Sequence, residues 1–243
     1  MATGVKTRLA VVTGAAHRLG RDMALSLARS GFTIALHYNK STDAAENTRK
    51  EILSLGVRAE VFQADLRDPS QIEKLFRDID SLGYPLRVLI NSASVMNAGR
   101  LPNVAAENFD SEIAVNLRAP LLCAQYAALR MDAGGLIINI SDVGASKTWS
   151  GYPTYVMSKA GVESLTRLLA KSLAPNIRVN AIAPGFVYPS KTLSEGEWEK
   201  LLARVPLRRA AKPEEITGVI EFLLKNEYIT GQTIVVDGGY SLI

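Results

Sequence analysis

Tyr155 and Lys159 stand four residues apart in a stretch of helical periodicity, and Asp142 lies thirteen residues upstream. Four residues is about one helical turn, so the phenol and the ammonium share a face. An ammonium held beside a phenol favours phenolate; the expectation is a lowered phenol pKa and proton exchange with a substrate near neutral pH. Asp142 adds a carboxyl group to this pair. A hydroxyl there would donate a hydrogen bond to the oxyanion that develops when a ketone is reduced. An ionised carboxylate cannot donate and would repel that charge. Asp142 must therefore be protonated, or serve a substrate that develops charge elsewhere. A ring C=N bond fits, because it takes hydride at carbon and a proton at nitrogen. Partial burial would raise the pKa of Asp142, and Lys159 would oppose that shift.

The elements that must position these groups alternate along the chain. Short apolar runs occur at Leu9 to Val12, Thr33 to Leu36, Ala59 to Gln63, Val88 to Ile90, Leu136 to Ile140, Arg178 to Ile182 and Thr233 to Val236, with longer amphipathic stretches between them. Seven strands apolar on both faces, joined by helix-length connections, describe an α/β fold. Its core is a Rossmann-type, doubly wound sheet of seven parallel strands with helices on both faces. The first helix is expected from near Leu19 to before Gly31, and Asp68 and Pro69 read as the cap and first residue of the third. The 243 residues and their even apolar content give a single domain over residues 1–243. Tyr188 to Trp198 breaks the rhythm, and residues 186–205 form a candidate substrate lid; an ordinary surface loop with a short helix reads equally well.

The first strand runs into Thr13-Gly14-Ala15-Ala16-His17-Arg18-Leu19-Gly20 and then a helix. In that context a glycine-rich turn presents backbone N–H groups and a helix N-terminus to a pyrophosphate. Nicotinamide specificity is set near the end of the second strand, where an acid would bind the ribose hydroxyls of NAD. This chain instead reads His37-Tyr38-Asn39-Lys40-Ser41, and Arg18 adds a second cation from the loop. A cation, an amide and a hydroxyl suit a 2′-phosphate, so NADP is expected, although Lys40 would also be at home as a solvated surface lysine.

Composition removes other classes. The one cysteine, Cys123, lies in an apolar stretch and reads as a buried small hydrophobe, which excludes a disulfide framework. His17 reads as solvated and His37 as structural; neither is paired at ligand spacing, so no metal site is expected. No apolar run reaches membrane-spanning length, and a soluble, cytoplasmic protein is expected. The formal charge of +4 is scattered and gives no nucleic-acid surface.

The chain resembles the short-chain dehydrogenase/reductase family over nearly its whole length. The resemblance rests on Thr13 to Gly20, Asp65 after the third strand, Asn91-Ser92-Ala93-Ser94 after the fourth, Asn116, Tyr155 with Lys159, Pro184-Gly185, and Val236-Asp237-Gly238-Gly239. It implies that Gly14, Arg18, Leu19, Gly20, Tyr38, Asn39, Lys40, Ser41, Asp65, Leu66, Asn91, Ala93, Pro184 and Gly185 line an NADP(H) site. It further implies that Lys159 binds the nicotinamide ribose, Tyr155 is the acid, and Asn116 supports a proton-relay water. A homotetramer with a small-molecule substrate is implied too, one interface formed by the long helices around Asn108 to Arg130 and Tyr152 to Leu173 and another by the C-terminal segment.

Two departures narrow the resemblance. Arg18 replaces the middle glycine of the loop, and Asp142 stands where a catalytic serine is usual. Both are similar to pteridine reductases, as are Leu36-His37-Tyr38, Gln63-Ala64-Asp65-Leu66 and the Gly239-Tyr240-Ser241-Leu242 end. In some of those enzymes an aromatic ring five residues after the equivalent of Asn91 stacks on the pterin. Here that residue is Met96, and Trp149, Tyr152 or Phe186 are the candidates to supply a ring; Trp149 would serve equally as core or lid packing. Arg18 would touch the pyrophosphate alone or the pterin as well. Pro189 stands where many members place a threonine that contacts the nicotinamide carboxamide. The expected activity is NADPH-dependent reduction of a pterin or dihydropterin. The alternatives are a carbonyl or 3-ketoacyl reductase and, from a different class, a non-catalytic NADPH-binding regulatory protein.

Overall fold

The computed structural model describes residues 8–190 and 193–243. Seven strands form one parallel sheet: β1 (Arg8–Thr13), β2 (Phe32–Tyr38), β3 (Ala59–Gln63), β4 (Leu86–Asn91), β5 (Met131–Ile140), β6 (Ile177–Pro184) and β7 (Thr233–Val236), in the order β3-β2-β1-β4-β5-β6-β7. Alternate residues of one strand enter opposite cores. Leu9 and Val11 join Ile72, Phe76, Cys123, Leu165 and Leu169 on one face. Ala10 and Val12 join Met23, Leu27, Ile52, Ile216 and Leu223 on the other. Burial on both faces is why these strands read as unbroken apolar runs.

Helices α1 (Arg18–Arg29), α2 (Thr42–Ser54) and α3 (Pro69–Asp80) follow the first three strands. Asp68 caps α3 by accepting from the Ser70 N–H, with Pro69 at the first helical position; such a cap is worth about 1 kcal/mol. The long helix expected around Asn108 runs without a break as α4 (Ala106–Ile113), a wider π turn over Ala114–Arg118 that holds Asn116, and α5 (Ala119–Ala128). A short α6 (Gly144–Lys147) precedes α7 (Pro153–Leu173), which carries Tyr155 and Lys159; α8 (Glu195–Leu202) and α9 (Pro213–Lys225) complete the cover. The candidate lid contains α8, opened by a reciprocal Ser194–Glu197 capping box. Residues 191 and 192 of that lid lie outside the described residues.

Strand order reverses between β1 and β4, and a parallel sheet opens a crevice at the carboxyl ends of its strands at such a point. Register brings Thr13 level with Asn91, and Asn91 level with Asn139, at this rim. No helix among the described residues is long and apolar enough to cross a membrane.

Candidate active site

At the rim the loop after β1 is held closed by its neighbours. The Thr13 hydroxyl accepts from the Ser92 and Ala93 N–H groups at 3.0 and 3.1 Å, tying the loop after β4 to the end of β1. Gly14 has φ +67°, and a Cβ there would lie 2.8 Å from the Ala93 Cα, so only glycine allows this approach. A Cβ on Gly20 would lie 2.2 Å from the Gly14 carbonyl oxygen. Buried His37 completes the anchor. Its Nδ1 accepts from the Gly14 N–H at 3.1 Å and its Nε2 faces the Ala64 carbonyl at 3.1 Å, partners that assign the neutral Nε2–H tautomer. Burial lowers its pKa to about 4, against the pull of Ala64 and Asp65.

Helix α1 begins in this loop with no side-chain cap and no acid in its first turn. A positive helix end lined by glycines and free of carboxylates fits a pyrophosphate. Beyond β2, Tyr38, Asn39 and Ser41 are partly exposed and Lys40 is exposed. Asp65 is held by Arg67 through a 2.6 Å ion pair, which with its hydrogen bonds keeps the carboxyl below its usual range, and Leu66 is buried. On the far side of the crevice a Cβ on Gly185 would lie 2.8 Å from the Asp237 Cα. Asp237 accepts from the Gly239 and Ser241 N–H groups, so the Val-Asp-Gly-Gly sequence buttresses the Pro184-Gly185 turn.

Arg18 has φ +54°, a left-handed conformation that costs a non-glycine residue about 1–2 kcal/mol. Its guanidinium donates to the Pro189 and Tyr188 carbonyls at 3.0 and 3.2 Å and lies over the Tyr188 ring. The Tyr188 hydroxyl donates to Asp22 of α1 at 2.5 Å. Arg18 thus joins the phosphate-loop side of the crevice to the loop after β6. Pro189 takes part through its carbonyl.

The Asp142, Tyr155 and Lys159 side chains meet where β5 ends and α7 begins. Tyr155 donates to Asp142 Oδ2 at 2.8 Å, and Asp142 Oδ1 accepts from the Gly144 N–H at 2.6 Å. Lys159 is buried; its ammonium lies 5.5 Å from the Tyr155 ring centre and donates to the Ile140 carbonyl at 2.8 Å. The expected lowering of the phenol pKa is overturned. Burial first, then the Asp142 charge and the hydrogen bond to it, push Tyr155 well above 10. The ammonium faces the ring and spends its bond on a carbonyl, while the hydroxyl meets a carboxyl. Burial lowers Lys159 to about 8, opposed by Asp142 and Glu112. Asp142 is raised by desolvation, opposed by Gly144, Tyr155 and Lys159.

Asn116 braces the loop after β4. Its Oδ1 accepts from the Val95 N–H at 2.9 Å and the Ser94 hydroxyl at 3.1 Å, while its Nδ2 donates to the Val95 carbonyl and to Ser158 of α7. Asn91 donates to Asn139 at 2.9 Å, and its own Oδ1 is buried without a partner, an open acceptor at the cofactor rim. Met96 is exposed. Phe186 packs edge-on to Trp198 and against Tyr240 in a small cluster with Val143, Val205 and Trp149. Trp149 lies over Gly144, where a Cβ would meet the indole at 2.8 Å and Asp142 Oδ1 at 3.0 Å, so this ring borders the acid. Tyr152 is partly buried immediately before α7. Cys123 is buried, its thiol pushed up to about 12 by desolvation. No cluster of metal ligands occurs among the described residues.

Sequence reasoning missed Glu112, buried in α4 beside this cluster; nothing in its local pattern marked it. It also missed the Tyr188–Asp22 link, whose partners are 166 residues apart.

A family model described as enoyl-(acyl carrier protein) reductase matches residues 14–241. The chain is 37% identical over 240 residues to a 3-oxoacyl-[acyl-carrier-protein] reductase, FabG, of Staphylococcus aureus, covering 96% of this chain and 98% of that protein. It is 34% identical to YgfF, an uncharacterized oxidoreductase of Escherichia coli, covering 95% of this chain and 99% of that one. Among solved structures, FolM alternative dihydrofolate reductase 1 from Brucella canis, complexed with NADP, superimposes with a TM-score of 0.92 at 34% identity, covering 98% of this chain and 96% of that chain.

Proposed function

The chain belongs to the short-chain dehydrogenase/reductase family and is an NADP-dependent reductase, and on that premise we propose that its substrate is a pterin or dihydropterin reduced at a ring C=N bond. The observation that carries this reading is the 2.8 Å hydrogen bond from Tyr155 to Asp142, with Asp142 further held by the Gly144 N–H. The bound dinucleotide would supply a hydride to the ring carbon. The loop from Gly14 to Gly20 would cradle its pyrophosphate, Lys40 with Tyr38, Asn39 and Ser41 its 2′-phosphate, and Asp65 and Leu66 its adenine. Asn91, Ala93, Pro184 and Gly185 would line the nicotinamide half. Lys159 would orient the ribose.

The proton that balances the hydride goes to the ring nitrogen. A phenol with a raised pKa is a reluctant acid by itself. Sharing its hydrogen bond with a carboxyl whose pKa is also raised gives the pair one transferable proton and a carboxylate that holds the phenol afterwards. In its ionised form Asp142 would repel an oxyanion developing at a ketone, where a neutral donor is wanted. Trp149, beside Asp142, is the ring we assign to the wall of the substrate site, with Phe186 behind it; Met96 is carried by the loop after β4. A homotetramer, with α4, α5 and α7 at one interface, is part of the same proposal.

Similarity to the 3-oxoacyl reductase supports a second reading, reduction of a 3-oxoacyl thioester on the same residues. Asp142→Ser separates the two. If the carboxyl selects the chemistry, this change lowers pterin reduction by about a hundredfold or more, the scale of a lost general acid, and spares or raises carbonyl reduction. Equal loss on both substrates would contradict the proposal.

A further inference from the structure

We propose that Glu112 is a positioning residue of the reductase, which fastens the loop after β4 to the helix that leads into Asn116 and sets a second carboxyl beside the Lys159–Tyr155 pair. The inference rests on the reading of Tyr155 and Lys159 as the reacting groups.

Glu112 lies on α4, one turn before Asn116, and is 1% exposed. A carboxylate so buried normally has several donors around it. Here the donors among the described residues come from Asn97 alone, whose N–H lies at 3.3 Å and whose side chain also contributes. A leucine would fill that space without the desolvation cost, so packing does not account for an acid. Its placement does. Asn116 holds Ser94 and Val95, and Glu112 one turn earlier holds Asn97, so a single helical face grips the loop on both sides of Met96. This face abuts α7, where the Glu112 charge is felt by Lys159 and Tyr155, the same two groups that Asp142 influences from the end of β5. Desolvation raises the Glu112 acid itself, opposed by Asn97 and Lys159. The buried Lys159 ammonium therefore feels the charge of two carboxyl groups, both of which raise its pKa. When Glu112 is ionised it helps keep Lys159 protonated and Tyr155 a phenol, the states needed to hold the ribose and to donate.

The test is the pH profile of kcat/KM and the KM for dihydrobiopterin, or for a 3-oxoacyl thioester should that be the compound turned over, in Glu112→Gln, Glu112→Asp and Glu112→Ala. Glutamine keeps the acceptor for Asn97 and loses the charge, so the basic limb moves to lower pH while KM holds. Aspartate keeps the charge with a shorter reach, so the limb stays in place and KM rises. Alanine loses both, and KM rises roughly tenfold, the scale of one hydrogen bond to a charged group. A glutamine variant with the wild-type limb overturns the proposal, as does an aspartate variant whose limb moves like that of glutamine. Tyr155→Phe is the control: if it stays active, the reading of the reacting pair fails; if it is dead while the Glu112 variants match wild type, only the role of Glu112 fails.

Discussion

His37 offers the most quantitative test of how the phosphate loop is held. Its ring is 2% exposed, Nδ1 accepts from the Gly14 N–H, and burial lowers its pKa from 6.5 to about 4. The folded chain therefore keeps the imidazole neutral where the unfolded chain protonates it. The unfolded state binds more protons between these two values, so stability is complete above about 6.5, falls as pH drops, and levels off below about 4. The drop of about 2.5 pH units corresponds to roughly 3 kcal/mol. Carboxylates titrate in the lower part of this window, so the quantity to read is a difference. Urea unfolding followed by circular dichroism, from neutrality to about pH 4, should show wild type losing up to roughly 3 kcal/mol more than His37→Gln, which lacks this titration. NADPH affinity should hold through most of this range and weaken only as pH approaches about 4, where the folded ring takes up its second proton and can no longer accept from Gly14. Parallel pH dependence in wild type and variant would refute the argument.

Two further outcomes follow from the same geometry. With NADPH as the varied substrate, kcat/KM should fall along a basic limb near 8, where burial places Lys159, and a limb near the ordinary lysine value of 10.5 would mean that its deprotonation is not felt. Lys40→Asp should raise the KM for NADPH at least about tenfold relative to that for NADH, the scale of one charge-assisted bond; unchanged preference would place the 2′-phosphate elsewhere.

The fold was legible because its strands are buried on both faces. Ala10 to Val12 and Val88 to Ile90 are apolar without interruption, and Asp68-Pro69 marks a helix start by cap chemistry alone. The glycine loop after β1 was legible for a similar reason: Gly14 is dictated by a positive φ and a 2.8 Å approach that leave a local sequence mark. What the sequence hid depends on distances between remote segments. The spacing of Tyr155 and Lys159 placed both on one helix face, yet the phenol pKa is set by burial and by Asp142, so its direction was the reverse of the one expected. Arg18 was visible as a cation in a glycine loop, but its contacts with Tyr188 and Pro189 join residues 170 and 171 positions apart. The long helix expected around Asn108 carries a π turn at Ala114–Arg118 that local propensity does not mark.

The central claim is that the Tyr155–Asp142 pair serves a C=N substrate. Its most direct test is the kcat/KM of the purified wild-type protein for dihydrobiopterin and dihydrofolate against a 3-oxoacyl thioester, all followed by NADPH oxidation in one buffer. At least one pterin should be turned over, with a kcat/KM above that of the thioester. Turnover of the thioester with no detectable pterin reduction would contradict it.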